Sequence, residues 1–383
     1  MKIAMTDPAF FTWPYDSALI EGLINNGHEV HFFSMKMPDS AKKDTRAHLH
    51  EIFYPGLDKP LLAKLPRPAF LLAKGLLHFI SYFRLIAQLK RLKPDAIHVQ
   101  WAPLPVVDLL FLPTLRKIAP LVFTVHDSSP FNNNPSAKLQ RLGAFRIMRA
   151  FDRLIVHTEK ARQDIMARGV PATHITRIAH GVIGGDPKIS APPPSRDPHK
   201  QMEILLFGKL KHYKGADLLI RALAQLSPEE RQKCRLRVVG KAEMDTQPLF
   251  ELAETLGVAA AVTWDLRFVS DAEMAEIFAA ADVMAMPYRQ IDASGVLMVA
   301  LGMGRPILAS RIGLFSELLE HGTHGLLVTP ENVDELAQAI RELLNNPDQR
   351  LQMAENVKAL GAAIPSWDEI GQQTTQLYQT ARA

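Results

Sequence analysis

Short apolar runs recur along the chain, each followed by a stretch whose apolar positions fall three or four residues apart. KIAM (2–5) precedes a helical pattern through Ala18, Leu19, Leu23 and Ile24, with Gly27 as the stop and EVHFFSM (29–35) as the next strand. AIHVQW (96–101), LVFTVHD (121–127) and RLIVHT (153–158) repeat the theme. The second half repeats it with EILLFGKL (203–210), RLRVVG (235–240), DVMAMP (282–287), PILAS (306–310) and GLLV (325–328). Near-continuous apolar strands alternating with helices predict parallel sheets covered on both faces, an α/β class.

Residues 184–200, GGDPKISAPPPSRDPHK, hold five prolines and no apolar periodicity, which predicts a linker. The expected organisation is a Rossmann-like domain over 1–183, the linker, a second Rossmann-like domain over 201–364, and a terminal segment at 365–383. In such sheets ligands bind beyond the carboxyl ends of the strands, so the strand-to-helix turns are where chemistry is expected. A chain of 383 residues with 47% apolar and 22% charged positions is globular, not disordered or collagenous. A lone cysteine, Cys234, excludes an internal disulfide and a cysteine-based metal site. No uninterrupted apolar run reaches the ~18 residues of a membrane span, and no export signal is expected, so the predicted location is the cytoplasm. The net charge of +4 is too small to point to nucleic acid.

Two turns carry candidate chemistry. In FGKLKHYKGADLLIRAL (207–223), Gly208 permits a tight turn while Lys209 and Lys214 converge above a helix start. Two ammonium groups beside unpaired helix N–H groups suit a diphosphate; a solvated lysine-rich turn is the alternative. In PYRQIDASGVLMVALGMGRPILAS (287–310), Ser294 can cap an apolar helix. Gly295 allows close backbone approach, and the amides of Ser294, Gly295 and Val296 can meet a phosphate. A capped core helix without a ligand fits the same residues. Asp292 lies in the preceding loop.

These residues carry a resemblance. Gly208-Lys209-Leu210 followed by Lys214-Gly215 resembles the strand-end motif of the family 4 glycosyltransferases, as do Gly304, Arg305, Pro306, Ala309 and Ser310. Gly313 through Glu317 and the segment HGTHGLLVTPEN also resemble that family. The resemblance implies the GT-B fold, with Trp367 and Tyr378 on a last helix that crosses back to the first domain. It implies a retaining sugar transfer from a nucleotide-sugar, UDP- or GDP-linked, with no metal and no other cofactor. Lys209 and Lys214 would clamp the diphosphate, Asp292 and Glu317 would orient sugar hydroxyls, and His126 and His180 would lie near the donor sugar. For His180-Gly181, a simple turn is the alternative. The chain departs from the family at two glutamate positions, which Val299 and Ile291 occupy, with Asp292 as the nearest substitute. This puts the ribose grip in question.

The loop after the first strand has no glycine; its Phe10, Phe11, Trp13 and Tyr15 would form an aromatic acceptor surface or pack on the core. Between Asp58 and Asp95 the chain has eight basic residues, no acidic one and many Phe and Leu, which suits an anionic membrane surface through residues 59–94 or a crossover helix with a solvated basic side. The expected acceptor is a glycan or lipid-linked sugar in surface polysaccharide or glycolipid assembly. A nucleotide-sugar epimerase and a non-catalytic nucleotide-sugar or carbohydrate-binding protein are the alternatives. The missing G-x-G-x-x-G after the first strand argues against a dinucleotide oxidoreductase.

Overall fold

The computed structural model describes residues 1–43, 45–57, 65–128, 143–183, 194 and 200–382. The chain divides into two units, one made of Met1–Gly181 with Pro365–Ala383 and the other of Val182–Ile364. The predicted linker falls almost wholly outside the described residues, and Val182 and Ile183 belong to the second unit rather than the first.

The first unit is built on a seven-stranded parallel sheet: β1 (Lys2–Asp7), β2 (Glu29–Ser34), β3 (His48–Glu51), β4 (Ala96–Val99), β5 (Leu121–Thr124), β6 (Arg153–Val156) and β7 (Ile175–Arg177), in the order β3-β2-β1-β4-β5-β6-β7. The second is a six-stranded parallel sheet of β8 (Met202–Phe207), β9 (Cys234–Val239), β10 (Val262–Asp265), β11 (Val283–Met286), β12 (Ile307–Ser310) and β13 (Gly325–Val328), in the order β10-β9-β8-β11-β12-β13. Both orders reverse direction beside the first strand of the unit, the switch-point topology that opens a crevice at the carboxyl ends. The central strands are largely apolar because helices cover both faces, and in β4, β5, β11 and β12 every residue is buried.

Three strands escaped sequence reading: β3 (HLHE), β7 (ITR) and β10 (VTWD). All three lie at sheet edges, where one side of the ladder is unpaired and polar side chains are tolerated, so no apolar run announces them. Helix starts follow local chemistry. Ser227 with Glu230 and Ser270 with Glu273 form reciprocal capping boxes, and Thr158 and Asn332 accept from amides of the first turn.

The terminal helix Trp367–Arg382 belongs to the first unit and packs on helix Trp13–Asn25. Ser366 and Glu369 cap it reciprocally. Backbones nearly touch at the crossing: a Cβ on Gly22 would lie 2.0 Å from the Trp367 carbonyl oxygen, and one on Gly371 would lie 2.7 Å from Gly22. Deeper along the helix, the Tyr378 hydroxyl is hydrogen-bonded to His98 at 2.7 Å, and His98 to Thr124 at 2.7 Å. Burial lowers the His98 pKa to about 3, so the ring is neutral.

Although it holds no uninterrupted apolar run of span length, helix Arg67–Leu92 is, by length and composition, apolar enough to cross a membrane. Its inner face is nonetheless fixed to the domain. Tyr82, Leu85 and Leu89 join the core, and the Asp108 carboxylate, on helix Pro105–Arg116, accepts from the Tyr82 hydroxyl at 2.8 Å and lies 2.6 Å from His78 Nε2. Leaving the sheet would strand this buried polar set, so the helix lies along the unit's surface.

Replacing Gly22 with Val should drive the terminal helix off its seat and cost about 1–3 kcal/mol. A lowered urea midpoint with an unchanged denaturant slope is the expected readout.

Candidate functional site

In the second unit, β8 ends at Phe207 and the chain turns through Gly208 (φ +102°) into a short 3-10 turn, His212–Lys214. Gly215 then passes beneath Pro287: a Cβ there would sit 2.3 Å from the Pro287 carbonyl oxygen. That close approach buries the Lys214 side chain, leaving the residue 4% exposed. The Lys214 ammonium donates to the Phe207 carbonyl (3.0 Å) and to the Tyr288 hydroxyl (2.7 Å). Among the described residues no carboxylate lies within ion-pair distance of it. Burial, and secondarily the charge of Lys211, lowers its pKa from 10.5 to about 7. A Cβ on Gly208 would lie 3.2 Å from the Lys214 nitrogen and 3.4 Å from a Val296 methyl, so the three residues meet.

Arg289 locks this arrangement. Its guanidinium pairs with Asp217 through two bonds of 3.0 and 2.7 Å, reaches Glu331 at 2.9 Å, and donates to the His212 carbonyl at 2.8 Å. Tyr288 and Arg289 were not identified from the sequence. Their signal was weak: two residues directly after a strand-ending proline, with no motif of their own.

Lys209 and Lys214 have different protein partners. Lys209 is half-exposed and lies 3.8 Å from Glu243, which also pairs with Lys211 at 3.2 Å. Ser294 caps helix Gly295–Gly302 by accepting from the Leu297 amide at 3.2 Å, which places Gly295 and Val296 in its first turn. Asp292 stands in the loop before it, and its carbonyl accepts from the Leu314 amide at 3.0 Å. Gly313 (φ +47°) fits under this loop only because it lacks a Cβ, which would lie 2.1 Å from the Ile291 carbonyl oxygen. Glu317 is exposed on helix Gly313–Leu318. At the two departures from the family pattern, Val299 is buried and Ile291 packs against the core. Apolar packing has taken the places of both carboxylates.

In the first unit the glycine-free loop after β1 is organised by Asp7. Its buried carboxylate accepts from the amides of Ala9 (3.2 Å), Phe11 and Thr12 (2.8 Å). Thr12 also donates to Asp16 at 3.0 Å. Burial, then the nearby Asp7 charge, raises the Asp16 pKa well above its ordinary value. The aromatic residues divide. Phe11 is 46% exposed and stacks on Trp101, and Trp13 packs between Phe10 and Phe32. Tyr15 is 3% exposed and cannot contribute to an acceptor surface; its ring meets His126, His157, His180 and Trp367.

His126 lies just beyond β5, with Nε2 3.3 Å from the Gln100 side-chain oxygen. Burial, followed by the neighbouring imidazoles, pushes its pKa well below the usual histidine range. His180 donates from Nδ1 to the Gly181 carbonyl at 2.8 Å, and burial lowers its pKa to about 3. Neutral imidazoles here can hydrogen-bond uncharged hydroxyls without repelling cations. Trp101, Ala102, Pro105, Phe123 and Val125 line an apolar pocket beside His126.

Two units, each built on a parallel, switch-point sheet, are the architecture of the GT-B glycosyltransferases. The Anabaena HepE structure in complex with UDP and glucose superposes with a TM-score of 0.77 at 21% identity, covering 99% of each chain. The "Glycosyltransferase Family 4" model matches residues 17–183 and the "Glycosyl transferases group 1" model matches 188–360. The chain belongs to the family 4 glycosyltransferases. A D-inositol 3-phosphate glycosyltransferase of Pseudarthrobacter chlorophenolicus is 26% identical over 96% of this chain and 89% of that protein. The glycosyltransferase MJ1607 of Methanocaldococcus jannaschii is 30% identical over 46% of this chain, and the match spans only 45% of that relative's length.

The buried Lys214 makes stability pH-dependent. Between about pH 7 and 10.5 the unfolded chain carries a proton on this side chain that the folded chain lacks, so unfolding free energy should rise with pH across that window. Below about pH 7 both states are charged and the destabilisation is complete. Urea midpoints measured across the window should show a smaller rise for Lys214→Met than for the wild type.

Proposed function

We propose that the protein transfers a sugar from a UDP- or GDP-linked donor to a glycan or lipid-linked acceptor, with retention and without a bound metal. The observation that carries this reading is the buried Lys214 ammonium, bonded only to neutral oxygens beside Gly208 and the helix start at Ser294. A departing nucleoside diphosphate gains negative charge, and a cation held ready in a site poor in water stabilises that change strongly. Gly208 lets a phosphate approach the backbone, and the amides at Gly295 and Val296 add donors. The more exposed Lys209 supplies long-range attraction. Asp292 and Glu317 orient sugar hydroxyls. No side chain stands out as a general base, so the leaving phosphate oxygen takes the acceptor proton on the same face. That HepE holds UDP and glucose supports the donor class.

The apolar Val299 and Ile291 favour a second reading, a nucleotide-sugar-binding protein without turnover. Thermal-shift titration with UDP, GDP, dTDP and their common sugars, followed by a transfer assay, separates the two. One nucleotide should stabilise the chain in proportion to ln(1 + [L]/Kd). Lys214→Ala should lower kcat/KM by roughly 10²–10³-fold. Turnover undiminished in that variant would refute the clamp, and tight binding with no turnover in the wild type would establish the binding protein. Because a diphosphate favours the charged lysine, its binding should take up a proton and weaken as pH rises above about 7, measurable by calorimetry in buffers of different ionisation enthalpy.

A surface of the first unit supports action at a membrane on the cytoplasmic side. Helix Arg67–Leu92 turns Leu72 (77% exposed), Leu76, Ile80 and Phe83 outward along one face. Val106 and Leu110 (64% exposed) of helix Pro105–Arg116 are exposed as well. Arg67, Arg84, Lys90 and Arg91 are exposed along the same acid-free stretch, while the part at 58–64 lies outside the described residues. Such a face inserts at the boundary of acyl chains and anionic headgroups. The wild type should co-sediment with phosphatidylglycerol vesicles, less so as salt is added, and Leu72→Glu/Leu76→Glu should stay in the supernatant. Equal recovery of the two proteins would remove the idea.

A further inference from the structure

The first unit gathers four side chains at the opposite end of its sheet from His126 and His180. Glu29 and His31 lie two apart on β2 and so point to one face. His48, the first residue of β3, pairs in register with His31. Ligand atoms of Glu29, His31 and His48 all fall within 4.8 Å of one another. Glu29 Oε1 is 2.8 Å from His31 Nε2, and the rings of His31 and His48 stack with centroids 4.6 Å apart. His50, two residues along β3, places its Nε2 2.9 Å from His31 Nδ1.

We propose that Glu29, His31 and His48 form a binding site for one divalent transition-metal ion of the zinc type, with His50 as the outer partner of His31. Two imidazoles and one carboxylate make a nitrogen- and oxygen-rich set that suits such an ion, with a fourth position left to water. Tetrahedral bonds of roughly 2.0–2.2 Å put ligand atoms roughly 3.4 Å apart. Exposed Glu29 and His48 can rotate to close the remaining gap, while His31 is buried and fixed. Without an ion, His31 donates from Nε2 to the Glu29 carboxylate and accepts at Nδ1 from His50 Nε2; an ion bound at Nε2 takes the place of that proton, and the proton then sits on Nδ1, donated to His50, the outer partner. Lys2, 3.7 Å from Glu29 Oε2, competes from the other carboxylate oxygen and leaves Oε1 directed at His31.

The site sits at the amino ends of β2 and β3, whereas parallel α/β sheets place their chemistry at the carboxyl ends. Its consequence is structural: an ion there ties edge strand β3 to β2 by bonds additional to the ladder. The ligands come from separate strands, so no sequence motif announces them. This inference is independent of sugar transfer, and its test does not measure transfer.

The full chain, stripped with chelator, is titrated with Co²⁺ by visible absorption and then with Zn²⁺ in competition. The expected result is one ion bound, with a tetrahedral cobalt spectrum and a higher unfolding temperature in Zn²⁺. Glu29→Gln and His48→Ala change exposed side chains and should fold as the wild type does by circular dichroism, yet lose the spectrum and the Zn²⁺-dependent stabilisation. His50→Ala should weaken binding by about 10–100-fold, and His174→Ala, outside the cluster, should bind as the wild type does. A wild type that binds neither ion, or Glu29→Gln and His48→Ala proteins that bind as tightly as it does, would overturn the site. Unchanged affinity in His50→Ala would overturn the role given to His50.

Discussion

A lysine ammonium withdrawn from water and given only neutral acceptors is costly to keep charged, and the strand-end region of the second unit is arranged around that cost. The Phe207 carbonyl and the Tyr288 hydroxyl meet the Lys214 side chain, but neither neutralises it. What holds the arrangement is rigid backbone: Gly215 pressed under Pro287, and the Arg289–Asp217 pair fastening the two turns together. An anion arriving beside Gly208 would relieve an electrostatic deficit already built into the fold. Preorganisation of this kind places part of the reorganisation cost in folding rather than in the chemical step.

The first unit solves a different problem. Its loop after β1 lacks the glycines that would let the chain turn freely, and the Asp7 carboxylate substitutes by collecting successive amides. The buried Tyr15 ring then forms the centre of an aromatic and imidazole cluster that includes His126 and His180. Burial keeps these imidazoles neutral.

Most of this was legible in the residues. The apolar runs predicted every central strand, and Gly208, Lys214 and Ser294 were readable because a turn glycine, a cation and a cap each leave a local signature. The edge strands were not, since β3, β7 and β10 are short and polar. Tyr288 and Arg289 were hidden because their roles depend on partners some seventy positions away in sequence. The partners of Lys209 were not legible, because its pairing with Glu243 joins residues far apart in sequence. The same limit explains Tyr15, whose aromatic character was visible but whose burial was set by Trp367, near the chain's other end.

The seat of the terminal helix on Gly22 has a consequence for biosynthesis. The first unit's own covering is encoded only after the whole of the second unit. As the polypeptide emerges from the ribosome, the groove beside helix Trp13–Asn25 must wait, uncovered, while the rest is translated. Premature termination between Gly181 and Pro365 would therefore leave a nearly complete sheet with one bare side, exposed to chaperones.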